Sequence, residues 1–410
     1  MRSNQIFKDT EFGRIPKEWE VVKLGEIITY EKGRKPKVLL DQGRKDTLPY
    51  LTAETLRTGS LTQWAIEDSE CVKVNREDII LIWDGFYCGD SFTDFEGILS
   101  STMVKIVPKN QNLNKLFLFY FLKTCFMELN TKISGMYLKH VNKFIFERQK
   151  LPLPPLPEQK KIAEILSTAD QAIEKVDVAI EKTQKMKKGL MQEPLTKGIG
   201  HKEFKDTEIG KIPKEWEVMK LGETANVRYG LGQPPALESS GIPMIRATNV
   251  KRGRIVREGL IFINRSAVPN SRDPFLRVGD ILVVRSGAYT GDVALVTKEW
   301  EGAVAGYDLI VTPSDTIDSQ FLTYYLLSGS VQKRHFVGLK VRSAQPHLNS
   351  SQVEETPIPL PPLPEQQKIA EILSTLDKRL GSLRNRKEKL GRVKKGLMND
   401  LLTGKVRVKG

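Results

Sequence analysis

The chain has 410 residues, and its 64 Lys and Arg outnumber its 50 Asp and Glu, so the formal net charge at pH 7 is +14. This length allows about two to four domains with cores of their own. We find no signal-like apolar start and no apolar stretch of roughly 18 residues, so we expect neither secretion nor a membrane span. Three scattered cysteines without metal or disulfide spacing favour reduced thiols. We expect a soluble cytoplasmic protein with a polyanionic partner, most often nucleic acid.

Two segments of the chain occur twice, in the same order. FKDTEFGRIPKEWEVVKLGE at 7–26 returns as FKDTEIGKIPKEWEVMKLGE at 204–223. LPLPPLPEQKKIAEILSTAD at 151–170 returns as IPLPPLPEQQKIAEILSTLD at 358–377. A period of about half the chain is far too long for a solenoid. It predicts two similar domains on two similar supports, related by an internal pseudo-twofold axis.

The two stretches between these repeats, 27–150 and 224–357, read as mixed α/β domains composed mostly of strands. In each, a β-branched run enters a turn rich in glycine, and a short helix is expected later, at 114–129 and at 319–336. We assign the turn conformations that need a positive φ to four glycines: Gly85, Gly89, Gly287 and Gly291. His140 and His347 hold matching positions and are expected to be structural.

After each PLPPLPEQ segment the composition becomes that of a long helix. Apolar residues alternate by three and four over about four heptads, which is the pattern of a coiled coil. Each helix would run roughly 35 residues, or about 50 Å, and the simplest cover for its apolar stripe is the other helix, running antiparallel. The residues expected at this helix pair are Ile162, Leu166, Ala169, Ile173, Val176, Ile180, Ile369, Leu373, Leu376, Leu380, Leu383 and Leu390.

These patterns predict an α+β fold, in which two mixed α/β domains are separated by two long helices that form an antiparallel coiled coil. The expected boundaries are 1–150 for the first domain, 151–203 for the first helix, 204–357 for the second domain and 358–410 for the second helix.

The two inserts differ in the polar residues of their loops. Arg, Asn and Gln match the edges of guanine and adenine in the major groove, and a carboxylate can accept from cytosine. The candidate base-reading residues are Thr52, Glu54, Asp84, Tyr87, Lys139 and Asn142 in the first insert, and Arg246, Asn249, Arg285, Ser286, Tyr289, Arg342, Gln345 and Asn349 in the second. The candidate phosphate contacts are Arg34, Lys35, Lys37, Arg57, Arg252 and Arg254.

Motifs for catalysis are missing from the sequence. There is no phosphate-binding GxxxxGK[ST] loop, no zinc-binding HExxH pair, and no Asn-Pro-Pro-Tyr or Asp-Pro-Pro-Tyr segment of the kind an adenine methyltransferase uses on its flipped base. We therefore predict no catalytic residue, no metal site and no cofactor in this chain.

Taken together, these residues resemble the specificity (S) subunit of type I restriction–modification enzymes. The resemblance rests on the duplicated IPKEWE and PLPPLPEQ segments, on Gly-Leu-Met near both helix ends (189–191 and 396–398), and on the DIL runs of the inserts, and it covers essentially the whole chain. It implies two target-recognition domains, each reading half of a split site in double-stranded DNA, with conserved helices setting the gap. It also implies methyltransferase (M) subunits docked on the helices and restriction (R) subunits beyond them, so that S-adenosylmethionine, ATP and magnesium belong to those partners.

Other classes of protein stay open from the sequence. The main alternative is a protein–protein scaffold whose two domains bind polypeptides at a spacing set by the coiled coil. A self-sufficient DNA-modifying enzyme fits least, because of the missing motifs. Related S chains also serve type II enzymes with fused nuclease and methyltransferase, and that setting fits this sequence as well.

Overall fold

The computed structural model describes residues 7–129, 140–232, 234–336 and 347–408. The chain divides into two compact units. The first unit comprises Met1–Asp177 and Asn385–Gly410, and the second comprises Val178–Arg384. Each unit therefore holds one insert, the beginning of the long helix that follows this insert, and the end of the other long helix.

The first unit is built from short strands and four short or medium helices. Its strands are β1 Phe7–Thr10, β2 Gly13–Pro16, β3 Glu20–Lys23, β4 Ile28–Lys32, β5 Leu39–Leu40, β6 Thr47–Leu51, β7 Trp64–Ile66, β8 Lys73–Val74, β9 Ile79–Ile82, β10 Ser91–Phe92, β11 Gly97–Leu99, β12 Met103–Pro108 and β13 Lys150–Leu153. Its helices are α1 Leu24–Ile27, α2 Ala53–Thr58, α3 Lys115–Leu129 and α4 Lys143–Arg148. The long helix α5, Leu156–Gln192, contributes to both units.

The second unit repeats this arrangement with some additions. Its strands are β14 Phe204–Thr207, β15 Gly210–Pro213, β16 Glu217–Lys220, β17 Ala225–Tyr229, β18 Leu237–Glu238, β19 Ile242–Ile245, β20 Val250–Lys251, β21 Arg254–Ile255, β22 Ile261–Ile263, β23 Ile281–Val283, β24 Val293–Leu295, β25 Val304–Ala305, β26 Leu309–Pro313 and β27 Pro357–Leu360. Its helices are α6 Pro194–Lys197, α7 Leu221–Thr224, α8 Ser319–Leu326, α9 Gly329–Val331 and α10 Ser350–Glu354. The second long helix is α11, Leu363–Leu401.

Each unit contains two larger sheets. In the first, β10-β9-β12-β4 is antiparallel, and β5-β7-β6-β11-β8 contains one parallel pair, β6 with β11. In the second, β17-β26-β23-β24 and β18-β22-β19-β25 correspond to them, with β19 and β25 parallel. The repeated sequence therefore folds into a repeated topology, as predicted.

The β-branched runs form the central strands because both of their faces are covered. In β9 all four residues are buried. Ile79 and Leu81 pack in the cluster that contains α3, while Ile80 and Ile82 pack on the other side of the sheet. A strand buried on both faces needs a continuous apolar run, not an alternating one. β23 is built in the same way, with Ile281 and Leu282 in different clusters.

The second of the two helices expected inside the inserts is interrupted. The first, α3, spans nearly the predicted residues. In the second unit α8 ends at Leu326, and Ser328 adopts an extended backbone before α9 and a π-helical turn, Gln332–Phe336. Our expectation of one continuous helix over 319–336 was wrong, because the break falls at Ser328-Gly329, two residues that favour a helix boundary.

The long helices run antiparallel within each unit. In the first unit, Lys394 pairs with Asp170, and Lys387 Nζ lies 2.6 Å from Asp177 Oδ1. In the second unit, Lys187 Nζ lies 2.6 Å from Asp377 Oδ1. In the first unit, the residue number of the lysine on α11 falls as the residue number of its aspartate on α5 rises. The two helices therefore run in opposite directions there. The predicted antiparallel pair is confirmed.

Two of these aspartates, Asp170 and Asp377, also tie each insert to the helices. Tyr120 of α3 donates a hydrogen bond to Asp170 and Tyr324 of α8 donates one to Asp377, both at 2.8 Å. Burial, together with the neighbouring carboxylate, raises the pKa of each tyrosine, which keeps its hydroxyl protonated. Lysine, aspartate and tyrosine therefore form the same cluster in both units.

The predicted helix-pair residues divide into two groups by location. At the beginning of each long helix, the stripe is buried in the core of the adjoining domain, where it also meets the end of the other helix, such as Leu401 in the first unit and Leu195 just beyond α5 in the second. The residues in this group are Ile162, Leu166, Ile369 and Leu373. Farther along, Val176, Leu376 and Leu380 are buried, and Ala169, Ile173, Ile180, Leu383 and Leu390 are partly buried.

The first turn of each long helix carries a glutamate, which is buried in α5 and half-buried in α11. Glu158, only 3% exposed, accepts a hydrogen bond from Trp19 Nε1 at 3.0 Å, and Arg407 donates to both of its carboxylate oxygens at 3.1 and 2.7 Å. In the second unit, Glu365 accepts from Trp216 Nε1 at 3.0 Å and lies 2.9 Å from His201 Nε2. The helix N-terminus also favours these anions.

Candidate nucleic-acid interface

A tight turn follows the central strand of each unit. Gly85 and Gly287 have φ values of 105° and 84°, and Gly89 and Gly291 have 97° and 88°. These values lie where a side chain would be strained, so the four glycines are turn glycines, as expected. The turns leave Tyr87 39% and Tyr289 40% exposed.

The structure places a cation on each of these tyrosines. The guanidinium of Arg57 lies 3.8 Å from the ring centroid of Tyr87, and Lys251 Nζ lies 4.1 Å from that of Tyr289. Arg57 and Lys251 hold matching positions in the repeat, two residues before Gly59 and Gly253. An ammonium or guanidinium over an aromatic face is a favourable contact. Sequence reasoning assigned Arg57 and Tyr87 to different roles and missed Lys251.

Lys251 belongs to a basic hairpin. Strands β20 and β21 pair antiparallel, with Lys251 opposite Arg254, and Arg252, at φ 38°, lies in the turn between them. Arg252 and Arg254 are exposed. Two of the six candidate phosphate contacts are thus brought together in the second unit, beside the exposed ring of Tyr289.

In the first unit, the remaining phosphate candidates already have acidic neighbours or are exposed. Arg34 forms an ion pair with Glu70, and Arg57 forms one with Asp90. The backbone N–H of Lys37 donates to Asp68 at 3.1 Å. Lys35 is exposed.

In the second unit, Arg285 occupies a cage of aromatic side chains. Its guanidinium lies 4.8 Å from the ring centroid of Tyr229 and 4.4 Å from that of Tyr307. Its Nη2 forms a hydrogen bond with His347 Nε2, and burial, helped by the charge of Arg285, lowers the pKa of His347. A neutral ring can accept this bond. The sequence showed Arg285 but not its tyrosines, which come from β17 and from the connection between β25 and β26.

The corresponding position of the first unit has different chemistry. Trp83 replaces Arg285 in the alignment of DIILIWDG with DILVVRSG, and it stacks on Tyr30 with ring centroids 4.9 Å apart. The neighbouring Asp84 forms an ion pair with Lys32 at 2.9 Å. The same place in the fold thus carries an apolar ring in one unit and a guanidinium in the other.

Four of the base-reading candidates have structural roles. Thr52, Asn142 and Asn349 cap helices: their side chains accept from the backbone N–H of Thr55 at 3.1 Å, of Ile145 at 3.2 Å and of Gln352 at 2.8 Å. Asn249 is fully buried, and its amide donates to the carbonyls of Val256 and Glu258. Asn349-x-x-Gln352 is a capping-box pattern that the sequence already contains.

The other base-reading candidates lie at the surface or outside the described residues. Arg246 and Glu54 are exposed, and the guanidinium of Arg246 donates to the carbonyl of Gly259 at 2.6 Å. Ser286 is half-buried and forms a β-bridge with His347. Lys139, Arg342 and Gln345 lie outside the described residues.

Neither a metal-binding cluster nor a membrane-spanning helix occurs among the described residues. No group of three or more His, Cys, Asp or Glu in this part of the chain could hold a metal ion. No described helix has the length and apolarity to cross a bilayer. Among the described residues, Cys71, Cys88 and Cys125 form no disulfide bond.

Comparison with known proteins identifies the family. The sequence profile of the type I restriction modification DNA specificity domain matches residues 16–182 and 213–392. The chain is 38% identical over 410 residues to the specificity subunit of the type I restriction enzyme MjaVIII from Methanocaldococcus jannaschii, covering 98% of this chain and 96% of that one. It is 25% identical over 368 residues to the EcoBI specificity subunit from Escherichia coli, covering 86% and 77%.

Solved structures agree on the fold. The S subunit of a type I restriction–modification system from M. genitalium superposes with a TM-score of 0.61 at 15% identity, covering 94% of this chain and 96% of that one. The duplicated profile match and the two units with repeated topology agree with this likeness. The chain therefore belongs to the family of type I restriction–modification specificity subunits, and it is a DNA-specificity subunit that has no catalytic cofactor of its own and is not itself an enzyme.

Proposed function

We propose that this chain recognises a bipartite, asymmetric DNA target, with each unit reading one half-site and the paired helices setting the gap. The observation that carries this proposal is the contrast at one place in the repeated fold, where the first unit has Trp83 and the second has Arg285. Trp83 is 8% exposed and packs in the core of its unit, so at this place the first unit offers no guanidinium to a base edge. A duplicated framework whose units differ at such a position suits a target whose halves differ.

The features that both units share have a different role in this proposal. Arg57 on Tyr87 and Lys251 on Tyr289 are the same cation–aromatic pair in matching positions. A contact that serves two different half-sites cannot depend on their sequence. We assign both pairs to the phosphate backbone, which supplies affinity and register without base selection. This reassigns Tyr87 and Tyr289 from base reading.

The partners follow from the family. We propose that methyltransferase subunits dock on the exposed sides of α5 and α11 and that restriction subunits join this core. S-adenosylmethionine, ATP and magnesium then act in those partners. A cytoplasmic location remains a prediction.

The test is enrichment from random duplex DNA, performed with the chain co-purified with its methyltransferase partner and with the chain alone. We expect a two-part motif with a fixed gap. A motif found only with the complex would mean that the helices need their partner before the units can read. If neither sample enriches a motif while partner binding persists, the proposal is wrong and the chain is a protein–protein scaffold.

Replacing Lys251 with alanine should weaken DNA binding equally for target and non-target duplexes. Loss of one phosphate contact lowers the slope of log affinity against log salt by about 1, and the enriched motif stays unchanged. Arg57→Ala should act likewise, so the two variants test matching positions. Affinity measured by fluorescence anisotropy over a salt series checks both.

Lys405, which is exposed in the first unit, provides a control with the same charge change, and Lys405→Ala should leave the slope nearly as it is. A changed motif in either Lys251→Ala or Arg57→Ala would return that residue to base reading.

A further inference from the structure

An open pocket of about 900 Å³ lies in the second unit, beside Arg285. Its wall includes Tyr229 and Tyr307, which are 40% and 46% exposed, and also Arg272. Arg272 is fixed by a hydrogen bond of 2.8 Å from its Nη1 to the carbonyl of Leu231. Arg228 and Asp273 also line this pocket, so its wall carries two aromatic rings, three arginines and one carboxylate. The guanidinium groups suit a ligand edge that presents acceptor atoms.

The guanidinium at this pocket is held in place before any ligand arrives. Tyr229 and Tyr307 contact it, and His347 bonds to one of its terminal nitrogens. Its Nε is buried and has no hydrogen-bond partner among the described residues. An arginine fixed by stacking loses little side-chain entropy on binding.

Behind Arg285 lies a buried carboxyl group that sequence reasoning missed. Asp308 is 2% exposed. Its Oδ1 accepts a hydrogen bond of 3.3 Å from the backbone N–H of Arg285, whereas its Oδ2 is buried without a partner in the described part of the chain. Burial raises the pKa of Asp308 to about 6, although the charge and the N–H of Arg285 oppose this.

Such a group lowers stability, because a buried carboxylate without full hydrogen bonding is costly. The first unit avoids this cost, because the matching position there is Met103: its carbonyl accepts from the N–H of Gly33 as that of Asp308 accepts from Gly230, and its apolar side chain is fully buried. Asp308 and Arg285 thus replace Met103 and Trp83 together. A costly pair kept at the wall of a pocket, and in one unit only, points to a function.

We infer that this pocket faces a guanine of the second half-site, that Arg285 reads the major-groove edge of this base, and that Asp308 is a positioning residue which fixes Arg285 for that contact. The inference rests on the proposed function and deepens it. Guanine is the base selected because its O6 and N7 are paired acceptors that match the parallel donors of a guanidinium. Arg272 at the rim would meet an adjoining phosphate.

The first experiment compares motifs enriched by the complex with methyltransferase. Arg285→Lys keeps the charge but cannot donate two parallel hydrogen bonds. We expect one guanine of the second half-site to lose its preference by roughly 10- to 100-fold, with the first half-site and the gap unchanged. Lys251→Ala in the same unit is the matched control, since it should weaken binding without changing the motif.

The second experiment tests Asp308 through stability and recognition together. In the wild type, the folded state holds the Asp308 proton more tightly than the unfolded state does, so stability falls as pH rises from the ordinary range of an aspartate to about 6, and the full cost is present above that. Asp308→Asn removes the charge. We expect the variant to melt a few degrees higher than the wild type at pH 7.5 and by a smaller margin at pH 5, with a reduced guanine preference.

Each result decides one part of the inference. An unchanged motif in Arg285→Lys would overturn the guanine contact. If Asp308→Asn is more stable but keeps the full guanine preference, Asp308 is only a buried structural group. If the melting temperature at pH 7.5 does not change, the buried carboxylate of Asp308 does not destabilise the fold. If the wild-type complex enriches no motif, the proposed function itself fails, which is a different outcome from either of these.

Discussion

Replacing Arg407 with alanine should lower the free energy of unfolding of the first unit by about 3 kcal/mol. Glu158 is almost completely buried, and the guanidinium donates to both of its oxygens. Removing one partner of a buried ion pair typically costs about 3–5 kcal/mol. We expect the lower end, because Trp19 Nε1 and the beginning of α5 still stabilise the carboxylate. Urea unfolding followed by circular dichroism measures the change.

Two controls separate this pair from a general charge effect. Lys405→Ala removes an exposed cation two residues away and should cost less than about 0.5 kcal/mol. Arg407→Lys keeps the charge, but an ammonium cannot make the paired hydrogen bonds. Its loss in the free energy of unfolding should therefore lie between those of Arg407→Ala and Lys405→Ala. Equal stability of Arg407→Ala and Lys405→Ala would show that Glu158 does not depend on Arg407.

Deleting one heptad from each long helix should shorten the gap between the half-sites and leave their bases unchanged. Removal of 176–182 and 383–389 takes away Asp177 and Lys387, which pair with each other, and keeps the crossings at Asp170 and Asp377. Seven residues shorten a helix by about 10 Å, or about three base pairs at 3.4 Å each. Motif enrichment with the methyltransferase complex measures the gap.

Affinity should also fall in this variant. A gap shorter by about three base pairs turns one half-site by nearly a third of a helical turn relative to the other, and the complex must absorb this rotation. A deletion of 176–182 alone is the matched control. It leaves Lys387 without Asp177 and one helix longer than its partner, so we expect loss of binding and no new gap. An unchanged gap in the double deletion would contradict the role of the helices as spacer.

Local patterns predicted the framework because it depends on local chemistry. The two stripes of apolar residues, at 162–180 and 369–390, predict long helices and their pairing through heptad spacing. The glycines of the turns, such as Gly85, are required by backbone conformation. The β-branched runs are continuous because β9 and β23 are buried on both faces. Each of these patterns is visible in a few neighbouring residues of the sequence.

The candidate site was predicted less well because it is assembled from distant segments. Asn142 and Asn349 have the residue type of a base reader but cap helices. Lys251 was missed because the ring beneath it, that of Tyr289, comes from a different strand connection. Asp308 gave no signal, since its cost arises from burial, and burial depends on the packing of the whole unit.

The amino-acid sequence by itself determined the duplicated framework, the long antiparallel helices and the family, because repeats and heptads are visible along the chain. Only the tertiary structure decided how the functional side chains are grouped. It brought Tyr229, Arg285, Tyr307 and Asp308 together from separate segments, and it buried one carboxyl group beside the pocket. The physical reason is that hydrogen bonding, stacking and desolvation depend on distance in space, and residues far apart in sequence become neighbours only when the strands pair.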